Sequence, residues 1–277
     1  MDIFSVLFYQ PLFNLTTVLY RLLGENLGLA IIGIALLSRL AMIPISLRQI
    51  KMAEQSKELN AKLKAIREKY KNDKEKQSQE LMKIQSEYLP GQLAGCLPLI
   101  VQFILLISIN HLVTELVSKG AEAFNSVAYS FVPKFAEGYQ INYDFFGLGL
   151  QQVPGTALEA GLLQALPYVL LAVLVAVSQY FSTKILMNLS APAQTPAKEE
   201  AKKKGKKSKA AEPESPDFAE IMQQSTRNTM IVFPVLLFLM SFNLAAGLSL
   251  YWTVQSAFVI IQQLIFKRLK LINVQPN

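Results

Sequence analysis

IIGIALLSRLAMIPIS, residues 31–46, is an aliphatic run that carries one charge, Arg39, well inside it. A helix rises ~1.5 Å per residue, so about 20 apolar residues cross the ~30 Å hydrocarbon layer of a bilayer. The run extends over 28–47 before charge resumes at Arg48 and reads as a transmembrane helix. A guanidinium in such a span cannot shed its proton, and placing it there costs at least ~2.5–3.5 kcal/mol. It must snorkel to the nearer interface or face protein and water inside a helix cluster. The second arrangement predicts a hydrated cationic cavity within the membrane.

Working outward, four further stretches rich in Leu, Ile, Val, Phe and Ala qualify as spans: 93–116, 161–183, 229–245 and 247–266. The predicted fold class is an all-α membrane protein with five transmembrane helices. In the N-terminal segment 1–27, residues 3–23 are apolar but interrupted by Gln10, Pro11, Asn14, Thr16, Thr17 and Arg21. They read as an amphipathic helix in the outer interface. A cleavable signal is not expected, because no basic n-region or small-residue cleavage site frames the stretch.

The chain of 277 residues has a net charge of +7, and the placement of that charge sets a topology. Lysine and arginine crowd 48–90, the linker 184–228 and the tail 267–277, whereas the loop 117–160 has only Lys119 and Lys134. Five spans with both basic loops inside put the N-terminus outside and the C-terminus in the cytoplasm. The excess charge is thus used for topology, and no DNA partner is expected.

Segment 48–90 reads as a cytoplasmic helical hairpin. Met52, Leu59, Leu63, Ile66 and Tyr70 form one apolar stripe, and Glu58 with Lys62 makes an i,i+4 pair. Asn72, three residues before Glu75, is the expected N-cap of the second helix, and Pro90-Gly91 its expected stop. Residues 188–217 are low-complexity and read as a flexible linker. Their lysines, with the Lys-rich stretch 198–209, suit anionic lipids or ribosomal RNA. The aromatics of 117–160 are expected along the membrane surface.

The chemistry on offer is narrow. One cysteine, Cys96, and one histidine, His111, exclude a disulfide and any site needing two histidines. No G-x-x-x-x-G-K-[ST] occurs, so no cofactor and no enzymatic activity are expected. No carboxylate lies inside a span to pair with Arg39. The spans offer instead Ser38, Gln102, Ser108, Gln164, Ser178, Gln179, Asn243, Ser249, Thr253, Gln255 and Ser256. A cation among amides and hydroxyls is unlike a proton relay and suits transient attraction of an acidic or hydrophilic polypeptide.

YLPGQLAGCLPLIVQ (88–102), with its Gly95-Cys96-Leu97-Pro98 run, resembles the start of the second core span of the YidC/Oxa/Alb insertases. AGLSLYWTVQSAFVIIQQ (246–263) is similar to that family's last span, SRLAMIPIS (38–46) to its first, and YKNDKEKQSQELMKIQSEY (70–88) to the second helix of its cytoplasmic hairpin. The matches are in order from residue 5 to 266. The resemblance implies a bacterial plasma-membrane insertase and chaperone with a hydrophilic groove closed on the outside. By position Arg39 lies in that groove, with Gln102, Gln179, Trp252 and Gln255 lining it. Implied partners are nascent membrane proteins, the ribosome through 198–209 and the tail, the signal recognition machinery and a Sec translocon. Two departures stand out: the linker 188–217 is longer and more basic than usual, and the large outer domain of some relatives does not occur, which implies the compact form. A small-anion secondary transporter using Arg39 would call for inverted repeats, and none is found. An intramembrane protease would need a nucleophile and base, which His111 near a span end does not supply.

Overall fold

The computed structural model of the chain describes residues 5–71, 73–94, 97–190 and 232–269. Asn72, Gly95, Cys96, most of the expected linker, the start of the fourth expected span and the end of the tail lie outside the described residues.

A π-turn at Ser5–Tyr9 leads into α1, Gln10–Leu22. Then follow α2, Leu27–Ala41; α3, Ile43–Lys69; α4, Lys74–Ala94; α5, Leu97–Lys119; and the short α6, Glu122–Ser126. An antiparallel strand pair, β1 (Asp144–Phe145) and β2 (Leu148–Gly149), follows in the stretch after α6. α7, Pro154–Ala160, α8, Leu162–Ser190, α9, Val232–Ser241, and α10, Ala246–Arg268, complete it. Among the described residues three helices are long and apolar enough to cross a membrane: α5 over Ile100–Lys119, α8 over Leu162–Ile185, and α10. α2 and α9 are apolar but shorter. α10 is central, packing on α8, α2 and α5.

Several boundaries differ from the sequence reading. The expected span 28–47 is two helices, because α2 stops at Ala41 and α3 begins at Ile43. Pro44 has no N–H for the Leu40 carbonyl, so the ladder breaks there, and the proline sits where it is tolerated, in the first turn of α3. α2 alone is about 22 Å long, and only with that first turn of α3 does the run approach bilayer thickness. The N-cap of α4 is Asp73 rather than Asn72: its Oδ1 accepts from Lys76 N at 3.1 Å. α4 also runs through Pro90 and Gly91 to Ala94, since a proline bends a helix without necessarily ending it. α8 continues to Ser190, so the linker begins later than residue 188. In α3, Leu59 and Leu63 of the expected stripe are buried, and Glu58 and Lys62 are 2.8 Å apart.

The N-terminal segment and the loop after α5 form one folded cap. α1 is amphipathic with its polar side turned inward: Asn14, Thr16 and Thr17 are buried while Leu15, Val18 and Leu22 are exposed. Both threonines return their hydroxyls to carbonyls four residues back. Asn14 clamps the loop, donating to the Val127 carbonyl at 2.8 Å and accepting from Tyr129 N at 2.7 Å. The expected surface belt of aromatics is corrected here. Phe124 and Phe135 pack around Phe13 and Tyr20 in the core, because α1 covers them, and Phe131 and Phe146 stay exposed. Arg21 lies over the Phe135 ring, 4.2 Å from its centroid. Tyr139 donates to Glu25 Oε2 at 2.7 Å; burial, then its bonds to Tyr20 and Glu25, pushes its hydroxyl above the usual tyrosine range.

The strand pair and the segment after it stitch the starts of the long helices together. Ala246 N donates to Gln152 O and Gly247 N to Leu150 O, which satisfies two of the free N–H groups at the start of α10. Gly155 N donates to Phe242 O in the turn between α9 and α10, and Tyr168 of α8 accepts from Gly149 N. Phe145 lies on Gly28 at the start of α2, where an added Cβ would meet the ring at 2.3 Å. Gly28→Ala is therefore expected to cost about 1–3 kcal/mol by overpacking, seen as a lower melting temperature in detergent. An unchanged melting temperature would contradict that contact.

Candidate functional site

Arg39 sits in the last turn of α2, about 18 Å from the helix start at ~1.5 Å per residue. Its guanidinium turns into the bundle and does not snorkel away. Nε donates to Gln255 Oε1, and Nη2 donates to Gln102 Oε1 at 3.2 Å. Gln255 in turn donates through Nε2 to Ser38 Oγ at 2.9 Å and to the Tyr251 hydroxyl at 2.7 Å. Tyr251 and Gln255 are four residues apart on α10 and so share a face, and both are buried. The guanidinium is held from behind by a chain of neutral polar groups.

A second network lies beside it. Trp252 Nε1 donates to Gln179 Oε1 at 3.1 Å, and Ser256 Oγ donates to the same oxygen at 3.0 Å. Gln179 Nε2 donates to Thr183 Oγ1 at 3.3 Å. Helix periodicity arranges this too, since 252 and 256, like 179 and 183, are one turn apart.

Between the two networks is a cavity with about 130 Å³ of space accessible to water, lined by Arg39, Gln102, Gln179 and Trp252 together with Phe103, Leu106 and Phe233. That is room for several water molecules. Among the described residues no carboxylate lies within ion-pairing distance of Arg39. The cation is stabilised by amide dipoles and by whatever water the cavity holds. On the side toward the stitched helix starts the bundle is apolar, with Ile31, Ile34, Ile109, Val113 and Leu248 all buried.

Four of the five expected groove residues line this one cavity. The fifth, Gln255, is 2% exposed and stands behind Arg39 as a support. Tyr251 was missed, although its position one turn before Gln255 on α10 placed it on the same face. Phe103 and Phe233 were also missed, because aromatic side chains in an apolar run carry no signal of what they face.

A sequence model of the family described as 60Kd inner membrane protein matches residues 18–273. The chain belongs to this family, the YidC/Oxa/Alb group. It is 25% identical over 251 residues to the membrane protein insertase YidC of Streptomyces avermitilis, covering 87% of this chain and 51% of that one. Membrane protein insertase MisCA of Bacillus subtilis is 24% identical over 265 residues, covering 93% and 76%. Membrane protein insertase YidC 2 of Bacillus anthracis is 26% identical over 271 residues, covering 96% and 81%. The chain thus spans about half the length of the Streptomyces relative and most of the length of the two Bacillus ones. With its three long apolar helices, this member of the family is a bacterial membrane protein.

Proposed function

We propose that the chain is a membrane protein insertase whose groove is the cavity at Arg39. The observation that carries the reading is a permanent cation at span depth, without a carboxylate partner among the described residues, beside a water-accessible cavity. The names of the relatives support the same activity. In this reading five spans cross the membrane: α2 with the first turn of α3, then α5, α8, α9 and α10. The cap and the stitched helix starts face outward, and α3 with α4 forms a cytoplasmic arm that meets clients or targeting machinery.

A hydrophilic client tail enters from the cytoplasm and is held near Arg39. Water in the cavity lowers the desolvation cost of bringing a polar tail into the bilayer. The neighbouring apolar client segment lies along exposed faces of α8 and α10, such as Val173, Val177, Ile261 and Leu264, and burial of its apolar surface in lipid drives release. The basic linker and tail are the candidate contacts for ribosomes and anionic lipids, and the signal recognition machinery and a Sec translocon are candidate partners.

Replacing Arg39 by Ala or Glu in full-length protein in vesicles tests the groove. Losing hydrogen bonds to a charged group is worth ~1.5–3 kcal/mol, so insertion of a short-tailed client is expected to fall about tenfold or more. Undiminished insertion by folded, well-expressed protein would remove the charge from the mechanism.

A further inference from the structure

The polar lining of the cavity is made almost entirely of hydrogen-bond donors, and we infer that it selects client segments by their acceptor oxygens and not by negative charge alone. This rests on the groove reading above.

The orientation of each amide is dictated by a partner that can only donate. Guanidinium and indole nitrogens accept no hydrogen bonds, so the atom of Gln102 facing Arg39 must be oxygen, as must the atom of Gln179 facing Trp252. Ser256 adds a second donor to the Gln179 oxygen. The Gln179 oxygen thus has both lone pairs engaged inside the protein and the Gln102 oxygen has one, and the N–H groups of both amides remain. Gln179 spends one N–H on Thr183 and keeps another. Of the five N–H hydrogens of Arg39, those on Nη1 have no partner among the described residues. The Trp252 N–H is spent on Gln179, and the remaining walls, Phe103, Leu106 and Phe233, are apolar.

Among the described residues lining the cavity, the one acceptor position left is the second lone pair of the Gln102 oxygen, beside the Arg39 cation. Backbone carbonyls, carboxylates and side-chain carbonyls find partners here whether or not they are charged. An ammonium group finds only the one position on Gln102 and meets the Arg39 cation there. A cavity acting through charge alone would instead treat neutral acceptors like apolar groups.

The test uses the full chain in vesicles and a single-span client with a short tail. The tail carries a photoreactive benzophenone next to one variable residue: Asp, methionine sulfoxide, Met or Lys. The sulfoxide is neutral and differs from Met by one acceptor oxygen, so this pair isolates hydrogen-bond polarity from charge. Crosslinking to peptides containing Gln102 or Gln179 is measured. The sulfoxide tail is expected to crosslink about fivefold above Met, the effect of roughly one net hydrogen bond, and close to Asp, with Lys lowest. Sulfoxide at the level of Met, with Asp alone high, overturns acceptor selection and leaves the groove reading intact. Lys equal to the sulfoxide overturns it as well. Absence of crosslinks from all four tails, while insertion proceeds, overturns both readings.

Discussion

Replacing Gln255 by Glu is expected to preserve the fold but to lower insertion of an acidic-tailed client about tenfold, the effect of losing roughly 1.4 kcal/mol of attraction. A glutamate of nearly the same shape can still accept from Arg39 Nε, which Gln255 does through Oε1. It brings a negative charge into contact with the cation that faces the cavity, and the field there is largely cancelled. Gln255→Leu should behave in the opposite way. Arg39 Nε, Ser38 and Tyr251 all lose a partner at a site only 2% exposed, at about 1–3 kcal/mol for each group left unsatisfied. Melting temperature in detergent, measured alongside insertion, separates the two. A glutamate variant that inserts acidic tails at the parental rate would show that the guanidinium acts without its charge.

The second large effect is expected at the cap. Asn14→Leu leaves the Val127 carbonyl and Tyr129 N–H without the partners they have at 2.8 and 2.7 Å. Asn14 is 4% exposed, so water cannot readily replace it. The Tyr129 N–H is orphaned, while the Val127 carbonyl keeps its longer bond from Gln10 Nε2 at 3.3 Å, so the expected loss is about 1–3 kcal/mol. The loss should be local. Proteolysis of the loop after α6 should accelerate strongly while α8 and α10 remain protected. Uniform cleavage across the chain would mean that the cap and the long helices unfold as one unit.

What could be read from sequence follows from which signals are local. Arg39 was legible because a fixed charge in an aliphatic run has few places to go, and the structure puts it beside a cavity with Gln102, Gln179 and Trp252. The long helices were legible from apolar length alone. The break at Met42 lay within reach of a rule, since Pro44 was plainly there, but the run on either side is equally apolar and composition hides the interruption. The inward polar face of α1 was not legible. Asn14, Thr16 and Thr17 read as water-facing until the loop that Asn14 binds, more than a hundred residues away, is placed against them. For the same reason the loop aromatics were assigned to a surface belt, because nothing near Phe124 or Phe135 in sequence announces Phe13 and Tyr20 as their neighbours. Gln255 was expected to line the groove and stands instead behind Arg39, since periodicity gives a face and not a depth.

The stitching of Gln152, Leu150 and Gly155 onto the start of α10 and the turn before it, next to a buried apolar layer of Ile31, Ile34, Ile109, Val113 and Leu248, has an electrical corollary under the proposed function. Water drawn to Arg39 would meet these aliphatic side chains on its way to the opposite face, and a layer of that kind opposes the passage of protons and metal ions. An insertase so built would stay open on one flank while the membrane around it holds its voltage.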